Sequence, residues 1–181
     1  MDLEPFDAEQ LRIVNDAAAL AEELVCNAYK MSARQWLQPR REIKTLAELT
    51  PEQIIEGPEA PFAQVIRYQG RAGNSSLTSA TFDFYAICLQ DHAILSALRD
   101  NPSLDLMPFC VYILTHELIH IVRFSLFEQL FDAPPVQRAE EEVRVHLKTL
   151  KIIENSPTPR MDAVIGFYRQ WHRPLDSLRD S

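Results

Sequence analysis

His116-Glu117-Leu118-Ile119-His120, set in the apolar run from Cys110 to Phe127, is the stretch on which the reading of this chain turns. In a helix of about 3.6 residues per turn, side chains four apart stack on one face, so His116 and His120 can offer two imidazoles to a single ion. Glu117 falls about 100° round from His116 and about 60° from His120, within reach of a water on that ion. Two nitrogen ligands beside a carboxylate base are what metal-assisted hydrolysis needs, with a third protein ligand supplied from elsewhere. Val111, Leu114, Leu118, Ile121 and Val122 fall on the opposite side, so the helix is expected to be largely buried and its polar residues to need partners. The bland alternative is a pair of satisfied core histidines with an ion-paired glutamate.

The third ligand is sought on the next helix. The first is expected to start at a cap, Asp105, with Pro108 in its opening turn, and to run to about Phe131. Pro134-Pro135 stops it and starts another, over about 136–155, which returns Glu140-Glu141-Glu142 and His146 toward the histidines. There Ala139, Val143, Leu147, Leu150 and Ile153 mark the expected buried side. Glu142 and His146, four apart, lie along one edge of it, Glu140 lies on the other edge, and Glu141 points to solvent. Carboxylates near a positive helix N-terminus account for Glu140 and Glu141 without any metal. Glu142 is therefore the preferred third ligand, with His146 a group that orients a ligand or replaces one, and Glu140 the other alternative.

Composition narrows the classes. A chain of 181 residues at 46% hydrophobic reads as a single domain that buries a sizeable core. Its formal net charge of -8 argues against nucleic acid as a partner, and Arg40-Arg41 and Arg169 with Arg173 read as solvated faces. Three scattered cysteines, Cys26, Cys88 and Cys110, fit reduced thiols. With no basic, then apolar leader and no run judged long enough to span a bilayer, the expectation is a cytoplasmic protein with no membrane partner.

In chain order, Asp7 with Gln10 signals an N-cap box opening a helix to about Met31, with Leu11, Val14, Ala18, Ala21, Leu24 and Val25 on its apolar face, a packing surface or a homodimer surface. Residues 32–44 read as looser chain anchored by Trp36. Thr45 with Glu48, and Thr50-Pro51 with Gln53, signal two short helical turns, the second closed by Gly57. Phe62 to Tyr68 and Thr81 to Leu89 read as antiparallel strands joined by a turn at Gly70 to Ser75. Asp91 is expected to cap a helix of about ten residues, and a last helix runs from about Arg160 to Trp171, with His172 a cation at its end and a polar tail after Leu175.

The two histidines and Glu117 on one helix, with a glutamate on a following helix, make the chain similar to the gluzincin branch of the zincin-like metallopeptidases, over about Phe82 to Leu150. The resemblance implies an α+β, mainly helical, zincin-like domain over 1–181, its small antiparallel sheet packed on the motif helix and a helical extension at about 1–57. It implies one Zn²⁺ held by His116, His120 and a downstream glutamate. In thermolysin-like members that glutamate follows at about the interval of Glu140, and an Asp or Asn often stands four residues beyond it; Glu142 keeps that second spacing, but with His146. It implies also that the strand before the motif helix, Thr81 to Leu89, lines the cleft and pairs with an extended peptide or protein substrate.

The activity so implied is peptide-bond hydrolysis through a metal-bound water, with Glu117 as general base and Arg123, Tyr112, Tyr85 or His146 as donor to the oxyanion. Arg123 is equally suited to pair with the acidic helix. A rival in another class is a non-catalytic metal-binding or interaction module on the same scaffold. A carboxylate-bridged di-iron protein wants two Glu-x-x-His pairs, and Glu142 and His146 are four apart.

Overall fold

The motif helix grows from an unbroken apolar sequence, and the rest of the chain is wrapped on it. In the computed structural model, which describes residues 3–71, 81–154 and 156–171, this helix is α4 (Leu106–Ser125). Before it come α1 (Ala8–Ala28), the single-turn α2 (Ala33–Trp36), β1 (Arg40–Lys44), β2 (Ala63–Arg71), β3 (Thr81–Leu89) and α3 (Asp91–Asp100). After it come α5 (Pro135–Ile153) and α6 (Met161–Trp171). The class is α+β, mainly helical, as expected. The five apolar residues predicted to line the back of α4 are all buried. By length and composition α4 would also suffice to cross a bilayer, contrary to the sequence reading, but most of it is buried by the chain's own elements.

The sheet has the order β1-β3-β2 and is mixed rather than antiparallel. β2 pairs antiparallel to β3, Val65 opposite Ile87, but β1 runs parallel to β3, Ile43 opposite Ile87. β3 is thus central, and Tyr85 to Leu89 is wholly buried, which suits its aromatic and branched sequence. The looser stretch expected over residues 32–44 holds both α2 and β1, so part of the proposed helical extension is a strand of the sheet. Arg41 is no solvated residue either: its guanidinium stacks on Trp36 and pairs with Glu22 at 3.5 Å.

α1 begins as predicted, Asp7 and Gln10 forming a reciprocal capping box, and packs Val14, Ala17, Ala21 and Val25 into the core shared with α4. The turns at Leu46–Glu48 and Pro51–Gln53 carry the predicted boxes, although the second closes at Ile54 and not at Gly57. α4 stops at Ser125, not near Phe131, and leaves residues 126–134 as a connection. Asp105 stands at its N-cap, but its carboxylate is held by Arg160 at 3.0 Å instead of capping. Of the expected turn after β2, Gly70 and Arg71 are still strand, while residues 72–75, like His172, Arg173 and the tail, lie outside the described residues.

Asp91 does not cap α3 but lies just inside it, wholly buried, and accepts hydrogen bonds from the backbone N–H of Phe6 and of Leu46, each at 3.0 Å. Burial pushes its carboxyl up and these two donors pull it back. Gln90 beside it accepts from Ile55 N–H at 3.0 Å and donates to the Gln53 carbonyl at 2.9 Å, and His92 donates to the Ile55 carbonyl at 3.0 Å. These bonds fix the chain that leads into β2. Removing the carboxylate orphans two amides at about 1–3 kcal/mol each. Asp91→Ala is expected to lower unfolding stability in urea by about 3 kcal/mol, and a loss under about 1 kcal/mol would contradict the clamp.

Candidate metal centre

Two stripes of residues spaced four apart face each other. On α4, Tyr112, His116, His120 and Phe124 follow one another ring against ring, with centroids 6.2, 4.9 and 6.1 Å apart in that order, the two imidazoles meeting edge to face and the outer pairs stacked. On α5, which runs antiparallel, Arg138, Glu142 and His146 share a face. Tyr112 meets His146 in a short hydrogen bond between the phenol and Nδ1, and His116 meets Glu142 one turn on. Both stripes line one cavity of about 620 Å³, walled on its far side by Phe62, Gln64 and Val65 of the β2 region and by Tyr168 of α6.

At its centre two imidazole nitrogens meet the two oxygens of one carboxylate. His116 Nε2 lies 3.2 Å from Glu142 Oε2, His120 Nε2 lies 3.1 Å from Glu142 Oε1, and the two Nε2 atoms are 3.2 Å apart. Ligands about 2.0–2.1 Å from a tetrahedral zinc would be about 3.3 Å from one another, close to the separation of the two Nε2 atoms and to the distance of each from its own carboxylate oxygen. The donor set agrees, being two imidazoles and one carboxylate. Among the described residues, this is the group of three that could hold a metal. Without a cation, only protons can reconcile two facing nitrogens. Burial opposes charge on His120, but Glu142 raises its pKa, and burial likewise opposes charge on Glu142, which the two imidazoles nevertheless hold well below the usual carboxylate range.

Of the predicted residues, His116, Glu117, His120, Glu142 and His146 all line the cavity. Glu117 is half-buried, and burial pushes its carboxyl up against the lowering effect of the two histidines. Glu140 is exposed and is not part of the wall. His146 engages Tyr112 rather than the triad. Glu141, expected in solvent, is buried and paired with Arg144 and, at 3.0 Å, with Arg123. That clamp turns α5 so that the next residue, Glu142, faces the histidines. It also turns the first part of the expected apolar stripe outward, for Ala139, Val143 and Leu147 are exposed while Glu141, Val145, His146 and Thr149 are buried; farther along, Leu150 packs on the core and Ile153 is buried, as expected. Among the oxyanion candidates, Arg123 serves the clamp and Tyr85 lies outside the cavity wall, which leaves Tyr112 and His146. The strand at the cavity is β2, not β3, because β3 has both edges paired.

Sequence reasoning missed Gln129, Gln64 and Arg138. His120 Nδ1–H donates a hydrogen bond to Gln129 Oε1 at 3.0 Å, which leaves the Nε2 lone pair for the metal position. Its connection is pinned by Arg123 on Glu128 at 2.7 Å and by Arg67, which pairs with Asp132 at 3.0 Å and covers the Phe131 ring. Nothing in the sequence marks this glutamine, since it acts from irregular chain. His116 Nδ1, by contrast, is buried with no hydrogen-bond partner among the described residues. Loss of such an outer partner typically weakens a metal site about 10- to 100-fold. Gln129→Ala is expected to weaken zinc affinity by that amount in a chelator competition, and unchanged affinity would contradict the role.

Compared with family models, with curated protein sequences and with solved structures, the chain gives no match.

Proposed function

We propose that the chain is a zinc-dependent, zincin-like peptidase whose centre is His116, His120 and Glu142. The observation that carries this reading is the convergence of His116, His120 and Glu142, one ligand atom from each within 4.8 Å of the others, in a cavity that also holds Glu117. Bound zinc supplies Lewis acidity and brings the pKa of a water down toward about 7. Glu117 takes the proton of the attacking water at its carboxylate and delivers it to the amine nitrogen that leaves.

Tyr112 and His146 hold the developing oxyanion's side of the cavity. Burial pushes the Tyr112 phenol up, so it stays protonated as a donor, and the Tyr168 ring stacked on it at 3.7 Å fixes its plane. The substrate is an extended peptide laid along β2, which is paired on one side only among the described residues. Gln64 on this strand has a buried Oε1 with no hydrogen-bond partner among the described residues, an acceptor suited to a substrate N–H.

The test is cleavage of a mixed peptide library by zinc-loaded protein. Cuts that vanish with a chelator and return with zinc are expected. Stable zinc binding with no cleavage of any peptide would replace the peptidase reading with that of a metal-binding module.

A further inference from the structure

Resting on the peptidase reading of this cavity, we propose that Arg138 selects substrates bearing a carboxylate close to the bond that is cut. The antiparallel register that sets Tyr112 against His146 and His116 against Glu142 sets Arg138 at the level of His120. Arg138 lines the cavity and is exposed. Among the described residues no carboxylate pairs with it. Glu141, three residues on, is taken by Arg123 and Arg144, and Glu142, four residues on, is taken by the two histidines.

Its placement on the helix costs stability. Arg138 stands in the opening turn of α5, where the unpaired N–H groups already carry partial positive charge and where no acid compensates. An anion from outside offsets both charges. The guanidinium presents a planar fork suited to a carboxylate. One helical turn, about 5.4 Å, separates it along the axis from Glu142, a span of about two residues of extended peptide. The carboxylate is therefore an acidic side chain next to the scissile bond or the C-terminal carboxylate of a short peptide.

Three alanine-leucine peptides of one length separate these sources: a neutral amidated peptide, the same with one internal glutamate, and the neutral sequence with a free C-terminus. Each is titrated by calorimetry into the Glu117→Gln protein supplied with zinc. At least one carboxylate peptide is expected to bind tenfold or more tightly than the neutral one, and which one does so identifies the source. Arg138→Gln is expected to abolish the difference and Arg138→Lys to retain part of it. Three peptides bound alike, none bound, or a preference that survives in Arg138→Gln would overturn the proposal. Cleavage of the peptide library by the zinc-loaded wild type is read separately and reports on the peptidase reading alone, so the two can fail independently.

Discussion

Glu117→Gln is expected to lower peptide hydrolysis by about 10²- to 10⁴-fold while the protein keeps its zinc, the range a positioned acid–base group contributes. The substitution preserves shape and hydrogen-bonding capacity but removes the carboxylate that accepts a proton. Because Glu117 is not one of the three converging ligand residues, the metal should stay. Loss of turnover with the metal retained is the signature of a base. If turnover survived, the proton would be moving elsewhere, and Glu117 would be a buried carboxylate with a structural partner.

The second large effect concerns the ligands themselves. Losing His120 or Glu142 leaves two protein ligands, so zinc affinity should fall by more than the roughly 10- to 100-fold expected for an outer partner such as Gln129. The two variants differ in what else they disturb. His120 is 5% exposed, and its removal also strands Gln129, whereas the Glu142 side chain is half-exposed. Glu142→Ala is thus the cleaner variant, with the fold expected to persist. Glu140→Ala should leave zinc in place, since its side chain is in solvent.

What the sequence revealed followed the range of the interactions involved. Capping boxes join residues three apart, so those at Asp7, Thr45 and Thr50 were legible, and so was the burial of α4, whose sequence is apolar on nearly every side. β1 was not, because Arg-Arg-Glu-Ile-Lys is polar and becomes a strand through parallel pairing with β3, more than forty residues along, as between Arg40 and Phe84. Asp91 looked like a cap because the residue type is right. The backbone amides it serves, those of Phe6 and Leu46, come from distant chain.

α5 shows why site residues resist pattern reading. Its apolar stripe predicts one buried face, yet the Arg123–Glu141 pair and the Tyr112–His146 bond dictate another. The sequence favours Glu142 as an inward-facing glutamate with His146 one turn on; its side chain is half-exposed, and it meets the histidines because the first part of that stripe turns away. Helical spacing was the sound part of the argument: residues four apart remain together whichever way the helix rotates, and Arg138, four before Glu142, carried the same signal. Gln129 had none.

The central claim is that His116, His120 and Glu142 hold one zinc ion. Metal content by mass spectrometry tests it most directly, on protein purified without added metal and again after zinc is supplied and dialysed away, for wild type, His120→Ala and Glu142→Ala. One equivalent of zinc in the wild type, absent from both variants, is the predicted result. A wild type that retains no metal even after zinc is supplied, or a Glu142→Ala protein that still holds one equivalent, would contradict it.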